Sequence, residues 1–67
     1  MKVQLNGETR TFEDGPLDLT TLLETLGFGE KPVLVEHNGV ALHQREHGDT
    51  KVHDGDRLEI VLIVAGG

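Results

Sequence analysis

The sequence predicts an α+β fold in which one helix packs on one face of a mixed sheet of four to five strands. Two Asn-Gly turns, one leucine-rich helical pattern and one long aliphatic strand near the end of the chain indicate this arrangement. The 67 residues are enough for one domain, over residues 1–67. A single core of this size is expected to contribute only about 3–5 kcal/mol of net stability.

The first predicted element is a β-hairpin. Apolar and polar residues alternate over residues 2–5, which is the period of a half-buried strand. Asn6 and Gly7 follow, and both tolerate the positive φ angles that a type I′ turn requires. Residues 8–12 form the second strand, which the turn-forming segment 13–16 ends.

A helix follows the hairpin. Its apolar stripe consists of four leucines at positions i, i+3, i+4 and i+7, namely Leu19, Leu22, Leu23 and Leu26. Asp18 is placed to cap the first turn through its carboxylate, and Gly27 stands where a left-handed residue ends a helix. Because only one side is apolar, we expect the helix to lie across one face of the sheet.

The second half of the chain is predicted to be mostly β. Residues 33–37 and 40–42 form strands on either side of Asn38 and Gly39, and the polar segment 43–51 has room for a short helical turn. The Asp54-Gly55-Asp56 turn leads into the longest predicted strand, residues 57–65. The first and last strands are expected to pair in parallel at the centre of the sheet, giving the order ββαβ(β)β.

The last strand also predicts a binding surface. Four of its side chains are expected to face the helix: Leu58, Ile60, Leu62 and Val64. The other side carries Glu59, Val61 and Ile63, followed by Ala65, and nothing else in the chain is available to cover it. We therefore predict that Glu59, Val61 and Ile63 form a partner-binding sheet face, with a curled sheet or a dimer contact as the alternatives.

The composition excludes several classes of function. Twelve acidic and six basic residues give a formal charge of −6, which disfavours nucleic acid and anionic membranes as partners. Without cysteine the chain has no disulfide, no cysteine zinc site and no thiol nucleophile. No apolar run approaches the about 20 residues needed to span a bilayer, and no signal sequence is present. We therefore expect a soluble, cytoplasmic protein, and we expect it to be monomeric when free.

Side-chain catalysis and metal binding are also disfavoured. The chain has four histidines, His37, His43, His47 and His53. His43 and His47 have the spacing of zinc-binding helices, but no third ligand stands at a familiar distance, so we predict surface histidines and no metal site. The aspartates are explained as turn formers and as a helix cap, and we predict no catalytic residue and no bound cofactor.

The end of the chain, Ala65-Gly66-Gly67, is where chemistry is predicted. Two glycines make a thin thread that can enter a tunnel too narrow for larger residues. The α-carboxylate of Gly67 is ionised at neutral pH and can attack a phosphorus atom. Adenylation of this carboxylate by ATP would turn it into an acyl donor. A partner protein would have to bind the ATP. A frayed terminus without function is the alternative.

With these features the chain resembles the ubiquitin-like β-grasp sulfur carriers, most closely the ThiS family of thiamine thiazole biosynthesis. The resemblance covers essentially the whole chain. It rests on Leu5-Asn6-Gly7-Glu8, on the leucine-rich helix ending at Gly27, on Val35-Glu36-His37-Asn38-Gly39, on Arg45, on the segment from Val52 to Val61, and on Ile63-Val64-Ala65-Gly66-Gly67. Members often carry an aromatic residue soon after the arginine, where this chain has Glu46-His47-Gly48.

The resemblance implies a carrier cycle. An E1-like adenylyltransferase of the ThiF type would bind the sheet face and thread Ala65, Gly66 and Gly67 towards its ATP and magnesium. The adenylated Gly67 would receive sulfur from a cysteine-desulfurase persulfide, and a thiazole synthase of the ThiG type would take that sulfur from the thiocarboxylate. Three alternatives remain open: a carrier for molybdopterin, tRNA thiolation or cysteine synthesis; a ubiquitin-like protein modifier; and a plain protein-binding domain.

Overall fold

Seven strands and two short helices make up the fold of residues 1–64, which the computed structural model describes. In chain order they are β1 (Lys2–Leu5), β2 (Glu8–Thr11), β3 (Leu17–Asp18), α1 (Leu19–Thr25), β4 (Val33–His37), β5 (Val40–Leu42), a 3₁₀ helix (Gln44–Asp49), β6 (Lys51–Val52) and β7 (Arg57–Leu62). The helical turn that the sequence allowed in segment 43–51 is this 3₁₀ helix.

The main sheet has five strands in the order β2-β1-β7-β4-β5. β1 and β7 pair in parallel, and the other neighbours pair antiparallel, so the mixed sheet with a central first and last strand is confirmed. A second sheet of two strands, β3 and β6, was not predicted. It ties the start of α1 to the end of the 3₁₀ helix, where Leu19 also donates its backbone N–H to the Thr50 carbonyl at 2.9 Å.

Both Asn-Gly turns adopt the predicted left-handed conformation, and their asparagines also hold β7. Asn6 and Asn38 have φ angles of 50° and 51°. The Asn6 amide accepts a hydrogen bond from the Ile60 backbone N–H at 2.8 Å and donates one to the Ile60 carbonyl at 3.1 Å. The Asn38 side chain accepts from the Arg57 N–H at 2.9 Å. Each turn therefore continues the ladder of β7 beyond the end of a neighbouring strand.

The ends of α1 confirm the predicted caps. The Asp18 carboxylate accepts a hydrogen bond from the Thr21 backbone N–H at 2.7 Å. Hydrogen bonds from Thr21 hold the pKa of the Asp18 carboxyl below its ordinary value. At the other end, Gly27 has a φ of 90°, and Phe28 donates its N–H to the Leu23 carbonyl at 2.9 Å. The helix is thus closed at both ends by residues of its own segment.

The core lies between α1 and the main sheet and is entirely aliphatic. Its buried residues are Val3, Leu5, Leu19, Leu22, Leu23, Val35, Val52, Leu58 and Ile60. Three of the four predicted helix leucines are among them, and Leu26 packs against the edge of the cluster. The two phenylalanines, Phe12 and Phe28, also lie at its margin, where they are only partly buried.

The prediction that Leu62 and Val64 face the helix is wrong. Leu62 is 43% exposed and Val64 is 77% exposed, whereas Leu58 and Ile60 of the same series are buried. The seven residues of α1 span about 10 Å, while the six residues of β7 extend about 20 Å. The helix is therefore too short to cover the end of the strand. The apolar residues of this series continue beyond Ile60, but the helix does not bury them.

The last strand is also shorter than predicted, since β7 ends at Leu62. Ile63 still donates its backbone N–H to the Pro32 carbonyl at 2.9 Å, which keeps the chain next to the segment before β4. Ala65, Gly66 and Gly67, the predicted tail, lie outside the described residues.

Candidate functional site

The sheet face opposite α1 carries an apolar patch, which consists of Leu34, Val61 and Ile63. Leu34 of β4 lies directly opposite Val61 of β7, and both side chains are 59% exposed. Ile63, just beyond the strand, is 46% exposed. The sequence pointed to Val61 and Ile63 but missed Leu34, which stands between two other apolar residues, Val33 and Val35, so that no alternation marks it as exposed. Only the antiparallel register of β4 and β7 brings Leu34 to Val61.

Next to the apolar patch lies a carboxylate pair, formed by Glu36 of β4 and Glu59 of β7. The two residues are opposite each other in the register, and both are exposed. Like charges in this relation destabilise a sheet. Within residues 1–64 no lysine or arginine forms an ion pair with either carboxylate within 4.0 Å. A groove of about 300 Å³ adjoins the pair and includes Gln4 and Arg57 in its lining.

The Asp54-Gly55-Asp56 turn has a structural role, as the sequence predicted. Asp54 accepts a hydrogen bond from the Lys2 backbone N–H at 2.7 Å. Asp56 accepts one from the His53 N–H at 2.9 Å and contacts the His37 ring at 2.7 Å. Burial acts to raise the pKa of the Asp56 carboxyl, but hydrogen bonds, first from the His53 N–H and then from His37, outweigh it and lower the pKa below 3.8. These carboxylates are committed to the fold.

The prediction of four surface histidines is wrong for two of them. His43 and His53 are exposed, but His37 is half-buried against Asp56. His47 of the 3₁₀ helix is only 5% exposed, and its Nε2 atom has no hydrogen-bond partner. It lines a cavity together with Thr20 and Leu23 of α1. The 3₁₀ helix therefore packs on α1 through an imidazole ring where an aliphatic residue would be usual.

Burial of His47 is expected to make the free energy of unfolding depend on pH. Burial lowers the pKa of the His47 ring from its ordinary value of 6.5 and outweighs the attraction of the Glu46 carboxylate. The unfolded chain therefore binds the proton more readily, so this stability is complete above pH 6.5 and is lost as the pH falls below it. Urea unfolding followed by far-UV circular dichroism on either side of that pH measures the loss.

Two leucine variants test whether His47 is the group responsible. His47→Leu removes the ionisable ring and its unpaired nitrogen, so it is expected to abolish the fall in stability just below pH 6.5. His53→Leu changes an exposed ring and is expected to retain it. Equal pH dependence in the wild type and in His47→Leu would rule out His47 as the source.

Neither a metal cluster nor a membrane span is found in the part of the chain that the structure describes. No group of three or more histidine, cysteine, aspartate and glutamate side chains is placed there to hold a metal ion. The helices of residues 1–64 are too short and too polar to cross a bilayer.

Comparison with known proteins decides the family. Residues 3–67 match the model of the ThiS family. The chain belongs to the ThiS family. This membership supports a role in thiamine biosynthesis as a small sulfur carrier protein, which is a carrier and not a catalyst. The resemblance that the sequence motifs indicated is therefore confirmed.

A solved ThiS structure has the same fold as this chain. The crystal structure of the thiamine biosynthesis protein ThiS from Geobacter metallireducens is 33% identical, with a TM-score of 0.86 and complete coverage of both chains. This likeness confirms the ubiquitin-like β-grasp fold, including the mixed sheet with one helix on one face.

Two further relatives align with the full length of this chain. One is named thiazole synthase, from Paramagnetospirillum magneticum, and is 37% identical over 67 residues. The chain spans only 20% of the length of that protein. The other is an uncharacterized protein, ycf40, from Porphyra purpurea, which is 36% identical and of which the chain covers 93%.

Proposed function

We propose that this chain carries sulfur to the formation of the thiazole ring of thiamine, as a thiocarboxylate on Gly67. The observation that carries the proposal is the ThiS family match, which extends over residues 3–67 and so includes Gly66 and Gly67. The relative named thiazole synthase supports thiazole formation as the destination, because all of this chain aligns with part of it.

The chemistry begins with the Gly67 carboxylate. One of its oxygens attacks the α-phosphorus of ATP, pyrophosphate leaves, and an acyl-adenylate forms. A persulfide sulfur then attacks the acyl carbon and AMP leaves, which gives an acyl disulfide. A second thiolate attacks the cysteine sulfur through which the donor protein is still attached, forms a disulfide with it, and releases the thiocarboxylate. This chain has no cysteine, so both sulfur nucleophiles come from other molecules.

The role of residues 1–64 would be to present Ala65, Gly66 and Gly67 to the partners. Two proteins would dock on it in turn, a ThiF-type adenylyltransferase that holds ATP and magnesium and a ThiG-type thiazole synthase. The apolar patch and the neighbouring Glu59 are the surface proposed for this docking. Apolar side chains at the exposure of Leu34 and Val61, next to the end of β7, favour a protein contact there. Ala65, Gly66 and Gly67 would then enter the active site of the partner.

Intact-mass spectrometry tests the proposal directly. The protein is incubated with a cognate ThiF-type adenylyltransferase, ATP, magnesium, a cysteine desulfurase, cysteine and a reducing thiol. We expect the mass to increase by the difference between one sulfur and one oxygen atom. Fragmentation should place that increase on Gly67, and omission of ATP should prevent it.

The same reaction separates the proposal from its alternatives. Transfer of the sulfur from the purified thiocarboxylate to a thiazole product by thiazole synthase supports the thiamine pathway. A thiocarboxylate that thiazole synthase leaves unchanged would point to a different sulfur acceptor. Gly67 found in amide linkage to lysine side chains of other proteins would indicate a protein modifier. The proposal would be contradicted if the mass did not increase with an adenylyltransferase that is active on its usual carrier protein.

A further inference from the structure

The carboxylate pair carries information about the surface that covers this face of the sheet. Glu36 and Glu59 lie directly opposite each other on adjacent strands, where Cβ atoms are about 4.5–5.5 Å apart. Arg57 lines the same groove, but within the described residues it forms no ion pair with either carboxylate. The chain therefore holds two negative charges side by side, and no lysine or arginine of residues 1–64 lies within 4.0 Å to pair with them.

The neighbours of the pair favour a protein interface. Leu34 and Val61 of the apolar patch lie on the same face, each two residues away from the glutamate of its own strand. A partner that packs on these side chains also removes water from the edge of the carboxylate pair. Electrostatic attraction between opposite charges is stronger in such a region than in bulk water. A cation delivered to this position is therefore bound more strongly than one at an isolated surface site.

We propose that Glu36 and Glu59 together bind an arginine guanidinium of the adenylyltransferase, while the apolar patch packs against aliphatic or aromatic side chains beside that arginine. This inference rests on the proposed carrier function and adds the chemistry of the partner surface. A planar guanidinium has five N–H donors and can satisfy two neighbouring carboxylates at once. It is also more weakly hydrated than a lysine ammonium, which suits a contact beside apolar side chains.

Charge complementarity disfavours the other classes of partner. With a net charge of −6, the chain repels nucleic acid and anionic lipid. A second copy packed symmetrically on the same patch would place its own Glu36 and Glu59 against this pair. A cationic protein surface is the partner class that relieves the repulsion, and its charge would also speed the encounter with this acidic chain.

A charge-neutral variant with a matched control tests the inference. The double variant Glu36→Gln/Glu59→Gln keeps side-chain size and removes both charges. Glu24→Gln/Glu30→Gln makes the same change in net charge at exposed positions on the helix and the loop that follows it. Affinity for the adenylyltransferase is measured by isothermal titration calorimetry at low and high salt. At low salt we expect binding to weaken about tenfold or more for the first variant, since charge-assisted hydrogen bonds are lost.

The control pair is expected to bind within about twofold of the wild type at the same salt, because it alters only the overall field. The difference between the two variants should shrink at high salt, where charge interactions are screened. Thermal unfolding of the free proteins adds a second readout. Removing the repulsion should raise the melting temperature of Glu36→Gln/Glu59→Gln, which also shows that its weaker binding is not caused by misfolding.

The outcomes separate this inference from the proposed function. If Glu36→Gln/Glu59→Gln binds like the control pair and still forms the thiocarboxylate, the arginine contact is wrong and the carrier function stands. If the wild type binds with the predicted charge dependence but gains no sulfur, the contact stands and the carrier function fails. An adenylyltransferase that does not bind the wild type, or a wild-type dimer formed through this face, would overturn the inference.

Discussion

Leu22→Ala is expected to destabilise the protein by about 2–5 kcal/mol, because it removes buried atoms and leaves a cavity. Leu22 is completely buried at the centre of α1, between the helix and the main sheet. A core in a chain of this size supplies only about 3–5 kcal/mol in all. The variant is therefore expected to be largely unfolded, or to melt far below the wild type.

A leucine on the opposite face provides the matched control. Leu34 is 59% exposed, so Leu34→Ala removes the same atoms and should change the free energy of unfolding by about 0.5 kcal/mol or less. Far-UV circular dichroism during urea unfolding is the suitable measurement, since the chain has neither tryptophan nor tyrosine for fluorescence. If Leu22→Ala cost no more than Leu34→Ala, α1 would not be packed on the sheet as described.

Local patterns were sufficient to predict the elements that bury an alternating or helical apolar face. Leu19, Leu22 and Leu23 are buried at the spacing that indicated the helix, and Asp18 caps it. Such elements are predictable because one stretch of chain supplies both the apolar face and the residues that end it. β3 and β6 are different. Each of these strands has only two residues, which is too few to show an alternation of apolar and polar residues. Their pairing depends on where α1 and the 3₁₀ helix lie.

Burial of a polar residue was the largest error. His47 stands in a segment of polar residues without an apolar stripe, so the sequence indicated an exposed ring. The structure buries it because the 3₁₀ helix must contact α1, and His47 is the residue that faces that contact.

The long-range hydrogen bonds of the turn residues could not be predicted from the sequence either. The sequence predicted the left-handed φ of Asn6 from the turn alone. Its two hydrogen bonds to Ile60, 54 positions away, depend on the parallel pairing of β1 and β7. The same holds for the candidate site. Alternation along β7 indicated Glu59 and Val61, but only the register with β4 brings Glu36 and Leu34 beside them.

Deletion of Gly67 is expected to abolish thiocarboxylate formation while leaving the melting temperature unchanged. A carboxylate remains, now on Gly66, but it is shorter by one extended residue, which spans about 3.3–3.6 Å. Displacement of a reacting group by even about 1 Å can reduce a rate about a hundredfold, so the carboxylate oxygen of the shortened tail no longer reaches the α-phosphorus of ATP. Gly67 has no side chain to bury, and its removal takes nothing from the aliphatic core.

Gly67→Ala is the control that separates length from width. It restores the length of the chain and adds one methyl group to the residue that bears the carboxylate. If only the length of the tail matters, Gly67→Ala should form the thiocarboxylate while the deletion does not. Loss in both variants would mean that the tunnel also requires a residue without a side chain. The measurements are intact mass after the complete reaction and thermal unfolding of each free variant.

A deletion that reacts like the wild type would refute Gly67 as the carrier. A deletion that lowers the free energy of unfolding by more than about 1 kcal/mol would show that the tail is packed on the fold.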